Sequence, residues 1–138
     1  MSDAITVLRV VLVEDDQDLA ELISMWLRQL GHKVSVAHAG PDGVEVIVAE
    51  RPDVVLCDLG LPGMDGVEVC RRVADVMEAP PVMVALTGWR MDREERRTLG
   101  AGFRHYLEKP FEAEHLRRVL QSIGDATTSS PSGRVTIL

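Results

Sequence analysis

The sequence predicts an α/β protein: a doubly wound parallel sheet of five strands with helices on both faces. Two hydrophobic periods alternate along its 138 residues, short β-branched runs and stripes spaced i, i+3, i+4. Three of the runs, "VLRVVLV" (7–13), "VVLC" (54–57) and "VMVAL" (82–86), are almost continuously apolar, as strands covered on both sides must be. Strand and helix signals recur five times, and right-handed crossovers then wind the (βα)5 chain around both faces of the sheet.

The elements follow in order. After the first strand, Leu19, Leu22, Ile23, Trp26, Leu27 and Leu30 form one buried stripe, and Gly31 is placed to end that helix. "KVSVAH" (33–38) alternates, with Val34 and Val36 opposed to Lys33 and Ser35, and reads as an edge strand. Val44, Ile47 and Val48 mark a second helix, and Val69, Val73 and Val76 a third after the strand at 54–57. Past the strand at 82–86, the charge-rich "MDREERRTLG" (91–100) is expected to be a fourth helix, exposed and weakly held. "HYLEKP" (105–110) is a short, mixed edge strand, and Leu116, Val119, Leu120 and Ile123 mark a last helix ending at Gly124. "DATTSSPSGR" then turns polar, so the domain is expected to span 1–124, with 125–138 a disordered tail or the start of a linker.

Composition sets the context. Apolar residues make up 46% and mean hydropathy is +0.04, enough for one globular core. No apolar stretch approaches the roughly 20 residues that span a bilayer, and "MSDAITVLRV" lacks the basic start of a signal peptide. The expected location is cytoplasmic, with no membrane partner. Cys57 and Cys70 are then expected as free thiols without a redox role, Cys57 serving core packing. A net charge of −7 argues against direct nucleic acid binding. His32, His38, His105 and His115 have no metal-ligand spacing and are expected at the surface or at edges.

In doubly wound sheets ligands bind at the carboxyl ends of the strands. There the first strand runs into Glu14, Asp15 and Asp16, the third into Asp58, the fourth into Thr87 and the fifth into Lys109 and Pro110. Singly these are ordinary: Asp16 or Asp18 can serve as a helix N-cap, and a lysine is usually solvated. With the first and third strands adjacent, however, Glu14, Asp15 and Asp58 converge, and clustered carboxylates need a cation. Lys109 supplies one charge, and an all-oxygen donor set suits Mg2+. Asp58 can then act as a nucleophile toward phosphorus, with Mg2+, Lys109 and Thr87 around the transferred group. Gly60 and Gly63 in the following loop would let backbone groups approach the metal and phosphoryl group closely.

"VLVEDD" (11–16), "VVLCDLGLPGMDG" (54–66), "VALTGW" (84–89) and "HYLEKPF" (105–111) resemble, in order and spacing, the signature blocks of bacterial two-component response-regulator receiver domains, across about residues 6–124. The resemblance implies a flavodoxin-like sheet in the order 2-1-3-4-5. It implies that Asp58 is the phosphoacceptor, taking a phosphoryl group from a sensor histidine kinase or His-phosphotransfer protein. Mg2+ would be bound by Asp15, Asp58 and the Gly60 carbonyl, with Glu14 acting through water; glutamate replaces the aspartate of many relatives there. Lys109 would pair with Asp58 at rest, and its bond to Pro110 is typically cis in the family. Thr87 and Tyr106 resemble the switch pair that alters the surface of the fourth helix, fifth strand and fifth helix. For Tyr106 the alternative is a half-buried edge aromatic. Trp89 is a candidate modulator that shields the acyl phosphate from water, or a loop tryptophan packed on the fourth helix, while the small Gly60 leaves the opposite side open.

Other functions fit less well. A haloacid-dehalogenase-type phosphatase needs a second Asp where Gly60 stands, and a flavin phosphate would meet an acidic loop. A degenerate receiver acting as a phosphorylation-independent docking module is the serious rival, yet this chain has the acidic pair, the acceptor and the lysine. With no DNA-binding or catalytic domain after Gly124, output is expected to pass through a downstream protein target, a phosphorelay step or a domain of a longer parent, with hybrid-kinase and single-domain forms and a phosphorylation-linked homodimer left open. The expected activity is the receiver's own aspartyl phosphorylation and dephosphorylation.

Overall fold

The computed structural model describes residues 6–88 and 102–129. The expected fourth helix (91–100) and Trp89 lie outside these residues. In chain order the elements are β1 (Arg9–Val13), α1 (Gln17–Gln29), β2 (Lys33–Ala37), α2 (Gly40–Glu50), β3 (Val54–Asp58), α3 (Gly66–Val76), β4 (Val82–Thr87), β5 (His105–Glu108) and α4 (Ala113–Ser129). Thus α4 is the last helix of the sequence pattern. The strands form one parallel sheet in the order β2-β1-β3-β4-β5, with β2 and β5 at its edges as the mixed patterns of those strands suggest.

The continuous apolar runs are explained by two cores, one on each face of the sheet. Because side chains alternate along a strand, Val10, Leu12, Val54, Leu56, Val84 and Leu86 fall on one face. There they pack with Ala20, Ile23 and Leu27 of α1 and Leu116, Leu120 and Ile123 of α4. Val11, Val13, Val55, Cys57, Met83 and Ala85 fall on the other face, with Ile47 of α2 and Val69, Cys70 and Val73 of α3. A fully buried side chain of this kind contributes about 1.5–3 kcal/mol.

Local signals set the helix ends. Asp16 caps α1, its Oδ1 accepting the Leu19 N–H at 3.1 Å. At the other end Gly31 adopts φ +95°, while its N–H donates to the Arg28 carbonyl and that of His32 to the Leu27 carbonyl, a Schellman motif.

Four expectations need correction. Leu22 is 39% exposed, because the buried stripe of α1 centres on Ala20, Ile23, Ser24 and Leu27, about 100° round the helix. Val76, at the end of α3, is 62% exposed. The last helix does not stop at Gly124 but runs on to Ser129. A glycine inside a helix costs only about 1 kcal/mol relative to alanine, and here a Cβ would come within 3.2 Å of the Thr6 side chain. His32 is buried, because the chain turns at Gly31 to bring its ring under β1, where Nδ1 accepts the Leu8 N–H at 3.1 Å.

Candidate functional site

The parallel register brings the carboxyl ends of β1, β3 and β4 to one edge of the sheet. β1 ends in Val13, paired with Cys57 of β3, so the next residues, Glu14 and Asp58, emerge side by side. One carboxylate oxygen each from Glu14, Asp15 and Asp58 lie within 4.8 Å of one another. Glu14 is almost fully buried, Asp58 is buried and Asp15 is exposed.

Glu14 is tethered at three points. Its N–H donates to the Ala37 carbonyl, its carbonyl accepts the His38 Nδ1–H at 3.0 Å, and its Oε2 accepts the Asp16 N–H at 3.2 Å. Its Oε1 lies 2.9 Å from Lys109 Nζ, but no hydrogen-bond donor is aligned on it. Burial pushes the Glu14 carboxyl above the usual range, against the opposing pull of Lys109 and the Asp16 N–H.

Asp58 accepts the Gly60 N–H on Oδ1 at 2.9 Å, and its Oδ2 lies 3.2 Å from Lys109 Nζ. Lys109 therefore bridges two carboxylates, rather than pairing with Asp58 alone. Burial would lower the lysine, but Glu14 and then Asp58 outweigh it and hold the ammonium above its ordinary pKa. The Lys109 N–H donates to the Thr87 carbonyl at 2.7 Å, and the Lys109–Pro110 peptide is cis.

The remaining expected residues fall as follows. Thr87 is buried at the end of β4 beside Glu108 of β5. Tyr106 is half-buried on the edge strand, its ring centroid 6.5 Å from that of Phe103. Gly63 owes its glycine to φ +77° and not to crowding, since a Cβ there would meet nothing within 4 Å. A close approach between backbones occurs at Gly66, where a Cβ would stand 2.5 Å from the Asp58 carbonyl oxygen. Gly66 and His38 were not evident as site residues in the sequence. The only hints were the "DG" after the loop and a histidine directly following an edge strand. Cys57 is fully buried, and burial, then the adjacent Asp58 carboxylate, raise its thiol far above the ordinary value, so it stays protonated.

The donor set fits Mg2+. All donors are oxygens, as a hard ion requires, three carboxylates cluster with only one ammonium, paired to two of them, and a buried carboxylate oxygen has no aligned donor.

The response regulator receiver domain family matches residues 10–121. The chain belongs to this family. Receivers work in two-component signalling, interacting with histidine kinases or phosphotransfer proteins. Similar solved structures include the receiver domain of a sensor histidine kinase from Pseudomonas aeruginosa, which has a magnesium ion coordinated in its active-site cleft. It is 31% identical with a TM-score of 0.77, over 86% of this chain and 98% of that one. The BeF3-activated N-terminal receiver domain of Klebsiella pneumoniae RstA is 32% identical, with a TM-score of 0.75 over 84% and 97% of the two chains. A CheY-like receiver from Methylobacillus flagellatus is 29% identical, with a TM-score of 0.75 over 85% and 98%. Among the described residues no helix of this receiver is long and apolar enough to cross a membrane.

Proposed function

We propose that this receiver is a phosphorylation-dependent switch that accepts a phosphoryl group on Asp58 from a phosphohistidine of a sensor kinase or phosphotransfer protein. The observation that carries this reading is the convergence of Glu14, Asp15 and Asp58 at the working edge of the sheet, with Lys109 paired to Glu14 and Asp58. A carboxylate oxygen of Asp58 attacks phosphorus, the P–N bond to the donor imidazole breaks, and that nitrogen takes a proton. Asp15, Asp58 and the Gly60 carbonyl would hold Mg2+, with Glu14 acting through water, and the ion would neutralise charge on the transferred oxygens. Lys109 offers its ammonium to a phosphoryl oxygen, and the buried Thr87 offers its hydroxyl to another. Movement of Thr87 and rotation of Tyr106 would then alter the face that includes β5 and α4, where a downstream protein reads the state.

The test is intact mass after incubation with Mg2+ and acetyl phosphate, beside Asp58→Ala and an EDTA control. The expected result is a gain of one phosphoryl group that needs both Asp58 and Mg2+. No gain with acetyl phosphate or with a phosphohistidine donor, from folded protein, would refute the reading in favour of a phosphorylation-independent docking module.

A further inference from the structure

Two observations about Lys109 differ from a simple acceptor–lysine pair. Its ammonium is nearer to Glu14 (2.9 Å) than to Asp58 (3.2 Å), and Glu14 is also the more deeply buried of the two, with 1% of its side chain exposed against 9%. Both differences favour Glu14, since a buried ion pair is less screened by water and salt. Each carboxylate has one oxygen held by a backbone N–H, and its other oxygen lies within ion-pair distance of Lys109. Glu14 is held at its own N–H and carbonyl and, on the side chain, at Oε2, while Oε1 lies 2.9 Å from the ammonium. Asp58 has one fixed oxygen, Oδ1 on the Gly60 N–H.

We propose that Glu14 is a positioning residue that holds Lys109 in the metal-free, unphosphorylated protein, and that the length of the side chain at position 14 sets where the lysine waits. An aspartate on the same backbone reaches one methylene less and would leave the ammonium to Asp58. The lysine must therefore leave Glu14 before it can serve a phosphoryl oxygen, so Glu14 competes with the phosphorylated form for the same cation. This consequence rests on the phosphoacceptor reading above. The resting geometry does not.

The test uses the full chain in EDTA, without phosphodonor, so that it stands or falls separately from phosphorylation. The chain has only two lysines, Lys33 and Lys109, so labelling lysine with 13C gives two side-chain signals, and the exposed Lys33 at the opposite end of β2 serves as an internal reference. Glu14→Asp and Glu14→Gln are expected to shift the Lys109 Cε signal more than Asp58→Asn does, with Lys33 unmoved. In urea denaturation, a double-mutant cycle of Glu14→Gln with Lys109→Met is expected to show about 10-fold non-additivity in the unfolding constant, above that of Asp58→Asn with Lys109→Met. A Lys109 signal insensitive to Glu14→Asp, or an Asp58 cycle equal to or larger than the Glu14 cycle, would overturn the proposal.

Discussion

A methyl group at Gly66 should damage the proposed phosphoacceptor, Asp58, without touching its carboxylate. The added Cβ would lie 2.5 Å from the Asp58 carbonyl oxygen, 2.9 Å from Leu59 Cα and 3.1 Å from the Asp58 carbonyl carbon. All three are backbone atoms, so no rotamer change relieves the clash. Ordinary contact begins near 3.4 Å, so about 0.9 Å must open between α3 and the end of β3. Overpacking of this kind costs about 1–3 kcal/mol, offset by at most about 1 kcal/mol from the better helix propensity of alanine. Misplacing a reacting group by about 1 Å can cost on the order of 100-fold in rate. Gly66→Ala should therefore lower the urea midpoint and slow phosphorylation by acetyl phosphate, followed by intact mass, by roughly 30- to 100-fold. Gly31→Ala is the comparison, because its φ of +95° carries a conformational cost at the far end of the sheet with nothing within 4 Å of the new methyl. It should lose about 1–2 kcal/mol of stability and keep its rate. If Gly66→Ala slows phosphorylation no more than Gly31→Ala does, the steric reasoning is wrong.

Three further outcomes are expected. Ser24 is buried on the core side of α1 with its hydroxyl unpartnered; Ser24→Ala should raise stability by about 1 kcal/mol, read from urea curves. Burial lowers the pKa of His32, whose neutral Nδ1 accepts the Leu8 N–H. The unfolded chain then binds the extra proton, so this contribution is present above the ordinary value of 6.5 and is lost as pH falls below it. The stability gap between wild type and His32→Phe should narrow through that window, and a gap independent of pH would count against the assignment. Val76→Glu should change stability by less than about 0.5 kcal/mol, since Val76 lies outside the core; a larger loss would restore it to the buried stripe.

What the sequence made legible was whatever depends on local pattern. Continuous apolar runs mark strands covered on both faces, and the structure divides their residues alternately between two cores. Asp16 and Gly31 act at the ends of α1 where their chemistry places them. Glu14, Asp15, Asp58 and Lys109 could be found because strand ends in a parallel sheet converge, whatever the intervening sequence. What was not legible depends on contacts between distant segments. His32 is buried because of a turn under β1, Gly66 is small because another backbone passes over it, and a Cβ at Gly124 would be crowded by the Thr6 side chain. None of these partners lies within 20 residues of its counterpart except Asp58 with Gly66, and there the signal was a glycine that could equally have belonged to a turn.

The two ends of the sheet differ in how their polar groups are paired. At the amino end, polar groups answer one another: Asp53 accepts the Arg9 N–H on its side chain at 2.7 Å, donates its own N–H to the Arg9 carbonyl, and accepts the Val82 N–H on its carbonyl, while His32 takes the Leu8 N–H. Among the described residues, neither of the two buried side-chain atoms without a partner, Glu14 Oε1 and Ser24 Oγ, belongs to this set of groups. At the carboxyl end three carboxylates cluster, two of them share one ammonium, and a buried Glu14 oxygen is left without an aligned donor. Folding pays for that imbalance in repulsion and desolvation, and a structure that only had to be stable would not retain it. The cost makes sense if the missing positive charge arrives with a cation and the phosphoryl group that the cation accompanies, so the stored repulsion favours the bound state over the empty one.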